Sequence, residues 1–203
     1  MIELDLSFLK DDTIHAAKHL LGKKITTNID GKITSGYITE VEAYLGELDK
    51  AAHTYQLKRN KKNEMMYRDY GGIYVYTMHG HHCMNFITRD VAHPEGVLIR
   101  GIEPVEGINT MIARRGRNVN LTDGPGKLTQ SLGVKRDLHN GLRLNEGPIQ
   151  ISEGKIPKVI IGSKRIGIDN KEEAVEYLYR FTVQGNPYVS KDRVKVEDNN
   201  GWQ

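Results

Sequence analysis

Two hydrophobic rhythms alternate along this chain. Apolar residues Ile14, Ala17, Leu20 and Leu21 recur at helical spacing between Asp12 or Thr13, either suited to an N-cap, and Gly22, a C-terminal stop, so a helix is predicted over 12–21. Residues 24–29, an Asp30-Gly31 turn and residues 32–41 then carry the β-branched content and turn chemistry of a hairpin, which places Glu42 at the end of its second strand. Residues 47–72 are polar and glycine-bounded around one apolar patch, Met65-Met66-Tyr67, and predict a long functional loop with a short helical turn.

Strands are predicted at 73–78 and 83–88, joined by a tip His79-Gly80-His81-His82, and again at 97–102. A short helix over 106–113 leads into Arg114-Arg115-Gly116-Arg117, and another opens with Asp123 as cap and Pro125 in its first turn and ends near Gly133. The last third mixes β-like runs at 159–161 and 181–183 with a helical run at 171–180. No repeat or low-complexity linker interrupts this pattern, and 203 residues suit one substantial core, so the expectation is a single α+β domain over 1–203.

Composition narrows the classes. Hydrophobic residues at 38% and charged residues at 27% argue against extensive disorder. No apolar run approaches a membrane span, and Met1-Ile2-Glu3-Leu4-Asp5 lacks the basic start and apolar stretch of a signal peptide, so no membrane partner and a cytoplasmic location are expected. The lone Cys83 cannot form an internal disulfide and should be a reduced thiol. A net charge of +3 does not by itself advertise nucleic-acid binding. Local clusters carry that argument: Arg59, Lys61 and Lys62; Arg114, Arg115 and Arg117; Lys127, Lys135 and Arg136. On one side of the molecule they would form a footprint for a phosphate backbone, to which the helix start at Pro125-Gly126-Lys127 adds backbone N–H donors.

The candidate chemistry lies in two stretches, Glu42-Ala43-Tyr44 followed by His53, and Tyr74-Val75-Tyr76 followed by His79-Gly80. In a strand, residues two apart share a face, so Glu42 joins Tyr44 and Tyr74 joins Tyr76. Rings with a carboxylate at the mouth suit a flat, electron-poor or cationic group held while a bond beside it is hydrolysed. Spacing alone nevertheless favours a solvated strand-end glutamate and half-buried sheet tyrosines. His79, His81, His82 and Cys83 are zinc-type ligands without the paired spacing, and His81 and His82 should point to opposite sides, so neither metal nor cofactor is expected. The alternative is a protruding tip that inserts something flat or apolar into a partner. No lysine can be placed near the slot from sequence, so strand cleavage through a Schiff base is not indicated.

Leu20-Leu21-Gly22-Lys23, Glu40-Val41-Glu42-Ala43-Tyr44, Asp49-Lys50-Ala51-Ala52-His53, Arg59-Asn60, Tyr74-Val75-Tyr76, Cys83-Met84-Asn85, Val97-Leu98-Ile99-Arg100, Glu103-Pro104 and Gly124-Pro125-Gly126-Lys127-Leu128 form nine segments. In this order and spacing they resemble the alkyladenine (3-methyladenine, methylpurine) DNA glycosylases, in particular a compact bacterial member. The resemblance implies a curved, mostly antiparallel sheet with surrounding helices and a monofunctional glycosylase of base excision repair. Such an enzyme flips alkylated or deaminated purines from duplex DNA and hydrolyses the N-glycosidic bond to leave an abasic site. It also implies Glu42 as general base, Arg100 beside it, Tyr44 stacking on one face of the flipped base with His53 and Tyr76 on the other, and Asn85 discriminating against the amino group of guanine. His79 stands where better-known members carry a wedging tyrosine, and the tip is one residue shorter. Arg59, Arg114, Arg115 and Lys127 would join His79 in contacting DNA, and the protein would act as a monomer associated with the nucleoid. Competing readings are a non-catalytic damaged-DNA-binding protein and a metal-dependent hydrolase built on His79 to Cys83. The lesion could be 3-methyladenine, 7-methylguanine, hypoxanthine or etheno-adenine.

Overall fold

The computed structural model describes residues 4–190 and 195–203, so the first three residues of the N-terminal stretch read above lie outside it. The first helix, α1 (Thr13–Leu20), is capped by the Asp12 carboxylate, which accepts from the His15 N–H at 3.0 Å, and packs its buried Ala16, Ala17 and Leu20 onto the sheet. The expected hairpin follows as β1 (Lys24–Ile29) and β2 (Lys32–Tyr44), turned by Asp30 and Gly31 at φ 55° and 68°. β2 runs three residues further than its sequence suggests. Glu42 is therefore inside the strand and not at its end.

The segment after β2 holds three 3-10 turns, Gly46–Leu48, Tyr55–Leu57 and Glu64–Tyr67, where one was expected. Next come β3 (Ile73–Met78), β4 (His81–Thr88) and β5 (Glu95–Glu106). The β3–β4 tip has two residues, not four. His79 and Gly80 adopt φ 50° and 78°, the left-handed pair that closes a tight hairpin, and His81 and His82 enter the strand. The remaining elements are α2 (Ile108–Arg115), α3 (Pro125–Leu132), α4 (Arg136–His139), β6 (Ile149–Ser152), β7 (Ile160–Ser163) and β8 (Arg180–Val183). Asp123 does not cap α3; Gly124 holds the cap position and Asp123 pairs with Lys127 at 3.3 Å. The helical run expected at 171–180 gives only a 3-10 turn, Glu172–Glu176, because Arg180 is drawn into β8. No helix among the described residues is long and apolar enough to cross a membrane.

These strands form one open, antiparallel sheet in the order β3-β4-β5-β2-β1-β6, and the fold is α+β. β2 is the seam. Its first half pairs with β1 on one edge, whereas residues Glu40 to Glu42 pair there with β8, which in turn carries β7. Residues alternate between the two faces, so Val41, Ala43, Val75, Phe86, Val97 and Ile99 enter the main core. On the opposite face, cross-strand partners align in one row: Tyr74, Asn85, Leu98, Glu42, Arg180.

Two register shifts near Glu40 adjust this row, one at Thr39 on β2 and one at Arg100 on β5. Gly101, beside the second, lets the chain at Tyr188 lie close, since a Cβ there would come within 2.6 Å of the Tyr188 carbonyl oxygen. The bulge puts Arg100 against Glu40 and Glu42.

Candidate active site

Burying two glutamates two residues apart on one strand is costly unless cations meet them. The Arg100 Nε donates to Glu40 Oε1 at 3.0 Å, its Nη1 to Glu42 Oε2 at 3.4 Å and its Nη2 to Ser190 Oγ at 3.3 Å. Glu40 also accepts from Arg180 Nε at 2.7 Å, from the Ser190 N–H at 2.7 Å and from Ser190 Oγ at 2.8 Å. Burial alone would raise the Glu40 pKa, but Arg100, Arg180 and these hydrogen bonds hold it below the ordinary carboxylate value. Glu40 is thus a fixed anion that orients Arg100.

Glu42 sits in the opposite balance. Burial pushes its pKa up, and Arg100, the Ile166 N–H and the Tyr44 hydroxyl only partly offset this. Tyr44 Oη donates to Oε2 at 2.8 Å and the Ile166 N–H to Oε1 at 2.7 Å. Oε1 keeps room for one more donor, so the carboxylate can still take a proton from water. The sequence reading put this carboxylate at the mouth of the slot, but it is fully buried. Tyr44, Arg100 and Ile166 line the cavity in front of it.

That cavity has a volume of about 270 Å³, near the lower limit of roughly 300 Å³ for small-ligand pockets and suited to one flat ring system. Tyr44, His53, Tyr76, Asn85 and Leu98 also line it. His53 Nδ1 lies 3.0 Å from Tyr74 Oη, and its ring meets Tyr76 edge-on at 4.7 Å between centroids. Enclosure by protein and the charge of Lys171 hold His53 below its usual pKa, which keeps the imidazole neutral near pH 7. Burial lifts the Tyr74 phenol to about 12. The Asn85 Nδ2 donates to the Tyr74 carbonyl at 3.2 Å, leaving its side-chain oxygen as the available acceptor. Behind Tyr44, Arg165 stacks its guanidinium at 4.7 Å from the ring centroid and pairs with the buried Asp49, Nη2 to Oδ1 at 2.7 Å.

A match to the model of the family described as Methylpurine-DNA glycosylase (MPG) extends over residues 7–187. The chain belongs to the methylpurine-DNA glycosylase family. It is a hydrolase of N-glycosyl bonds, and DNA is its substrate. Relatives named "Putative 3-methyladenine DNA glycosylase" agree with this placement. One from Staphylococcus saprophyticus is 48% identical over 95% of each chain. Another from Oceanobacillus iheyensis is 44% identical over 91% of this chain and 94% of its own. A third, from Clostridium acetobutylicum, is 43% identical over 93% of this chain and 98% of its own.

Of the residues singled out in the sequence, Glu42, Arg100, Tyr44, His53, Tyr76 and Asn85 therefore converge on one cavity and its back wall. The DNA-contact candidates are more scattered. His79 caps the β3–β4 hairpin, with exposed Met78 before it. One open cleft beside this hairpin carries Lys62 and Arg136 next to His53, Tyr76 and Met78, and another carries Lys135 and Arg114 next to Gly80, His81 and His82. Arg59 is exposed but engaged with Glu64, Nε to Oε2 at 3.0 Å, and stacks on Tyr67. Arg114 donates inward to the Ile29 and Ser131 carbonyls at 3.2 and 3.1 Å, and Arg115 to the Gln130 side chain at 2.6 Å. Gly126, which follows Pro125 in α3, lets the hairpin lie close, since a Cβ there would fall 2.7 Å from His81 Cβ. No group of three or more His, Cys, Asp or Glu among the described residues is placed to hold a metal ion.

Glu40, Arg180, Arg165 and Ile166 were not anticipated as site residues. Glu40 was signalled by its i, i+2 spacing from Glu42, but Arg180, Arg165 and Ile166 lie more than a hundred residues from the strand they serve and carry no local sign. No lysine can be placed near the slot from sequence, but the structure brings one there. Lys171 lines the cavity.

Proposed function

We propose that the chain extrudes a damaged purine from duplex DNA into the cavity in front of Glu42 and hydrolyses its N-glycosidic bond, initiating base excision repair. The observation that carries this reading is Glu42 itself. A buried carboxylate, held by Ile166, Tyr44 and Arg100 directly behind an aromatic cavity, has spare acceptor capacity and a raised pKa. In this reading Tyr44 stacks on one face of the base, His53 and Tyr76 flank the other, and Asn85 lies at the base edge. The bond from the sugar carbon to the purine breaks with its electron pair going to the purine. Positive charge on the sugar faces the Glu42 carboxylate, the water oxygen bonds the sugar carbon, and its proton passes to Glu42. The products are a free base and an abasic site.

Extrusion costs a few kcal/mol and is cheapest at damaged or mismatched bases, which is a first filter for lesions. His79 at the hairpin crest would fill the emptied step, flanked by the two clefts and their cations Lys62, Arg136 and Lys135, with Lys127, Arg115 and Arg59 extending the backbone contact. Arg114, with its donors turned inward, supports this surface by fixing α2 to α3 and β1. One protein molecule acts on one lesion in the cytoplasm, at the nucleoid.

A single-turnover panel of duplexes carrying 3-methyladenine, 7-methylguanine, hypoxanthine or etheno-adenine, with abasic sites revealed by alkaline cleavage, tests this reading. Release of at least one of these bases is expected, and no release from any of them would overturn it. Because Glu42 must be ionised to take the proton and burial raises its pKa, the rate should climb with pH through an inflection above the ordinary carboxylate value. A rate already flat from the ordinary value upward would remove Glu42 from the role of base. His79→Ala should weaken binding to lesion-bearing duplex more than to the single strand. Equal losses on both would argue against the wedge.

A further inference from the structure

Resting on the base-release reading above, we propose that Lys171 is a specificity-determining residue. Its ammonium stabilises the negative charge that appears on a neutral purine as it leaves, biasing the slot toward neutral lesions such as deaminated adenine over cationic alkylated ones. The argument starts from placement. Lys171 is half-buried and lines the cavity alongside Tyr44, His53 and Tyr76, five residues beyond the Ile166 N–H that holds Glu42.

Its charge is not neutralised by protein. Among the described residues no carboxylate lies within ion-pair distance of its ammonium, and the adjacent Glu172 and Glu173 both pair with Lys50. The other buried charges behind the cavity balance. Glu40, Glu42 and Asp49, three carboxylates, meet Arg100, Arg180 and Arg165, three guanidiniums. Lys171 is therefore the one ammonium among the described residues that line this cavity, and its field reaches the slot, since it adds to enclosure in holding His53 neutral.

Chemistry then separates the two lesion classes. A neutral purine departs as an anion, and an ammonium aimed at its ring nitrogens or carbonyl oxygen stabilises that charge through a charge-assisted hydrogen bond. A cationic purine is repelled on binding and only recovers that repulsion as it departs neutral, so measured from free protein and DNA the same ammonium gives it no gain. Tyr44 adds to the bias. With Arg165 already against its ring, that ring has less attraction left for a second cation.

The test compares second-order single-turnover rate constants, measured at protein concentrations below saturation, on duplexes carrying one hypoxanthine or one 7-methylguanine. Lys171→Met and Lys171→Gln are each expected to slow hypoxanthine release by roughly tenfold while 7-methylguanine release stays within about twofold. Lys171→Arg, which keeps the charge, should stay within about threefold of the wild type on both. Equal slowing of both substrates, or no change in either, overturns the proposal and leaves the base-release reading intact. A wild-type protein that releases 7-methylguanine but not hypoxanthine also overturns it. If the wild type releases neither base, the base-release reading itself fails, and this proposal falls with it.

Discussion

Glu42→Gln is expected to slow single-turnover base release by roughly a thousandfold or more while binding to lesion-bearing duplex changes only a few-fold. The amide keeps the size of the side chain, and its oxygen can still accept the Ile166 N–H. What disappears is the proton acceptor and the negative charge facing the sugar, each worth a factor of roughly a hundred or more. The Tyr44 hydroxyl can turn to accept from the new NH2, and Arg100, which loses its 3.4 Å contact there, keeps Glu40 and Ser190, so the cavity wall should hold. Base release is measured by abasic-site formation and binding by titration of the uncleaved duplex. A variant with near-normal rates would place the chemistry elsewhere.

Glu40→Ala is the substitution expected to damage the fold most. It removes the carboxylate shared by Arg100 and Arg180, both almost wholly buried, and leaves Ser190 without its acceptor. Breaking a buried pair in this way costs about 3–5 kcal/mol, which for a chain of this size lowers the melting temperature by roughly 10 °C. Because the Glu40 pKa is depressed in the folded state, its stabilisation is complete above the ordinary carboxylate value and is lost as pH falls through the folded one. The gap between wild type and variant in urea or thermal unfolding should therefore narrow in acid. A loss below about 1 kcal/mol at neutral pH would mean that the two arginines find other partners.

The contrast between these two glutamates shows how far the sequence could be read. The β1–β2 hairpin is legible because β-branched residues surround an Asp-Gly turn, and the alternation Glu40-Val41-Glu42-Ala43-Tyr44 already places three polar side chains on one face. The resemblance of short segments then points to Glu42, Tyr44, His53, Tyr76, Asn85 and Arg100. Alternation cannot show which glutamate is neutralised, since that depends on a bulge at Arg100 and on Arg180 arriving with β8. Local propensity also misleads at 171–180. Its charged and apolar residues read as a helix, yet the end of the run pairs with β2 and β7 and its arginine is drawn to Glu40. The histidine-rich tip is misjudged for a smaller reason: His79 tolerates a positive φ, which lets a two-residue turn close the hairpin.

The hydrogen bond from Ile166 to Glu42 spans 124 positions of chain. The aromatic wall comes from residues before position 86, but the clamp on the carboxylate arrives only when the last quarter of the polypeptide docks along β2. A molecule lacking that last quarter would lose the Ile166 hydrogen bond to Glu42, the Arg165 stack on Tyr44 and the Lys171 wall of the slot together, so one stretch of chain serves both the carboxylate and the rings.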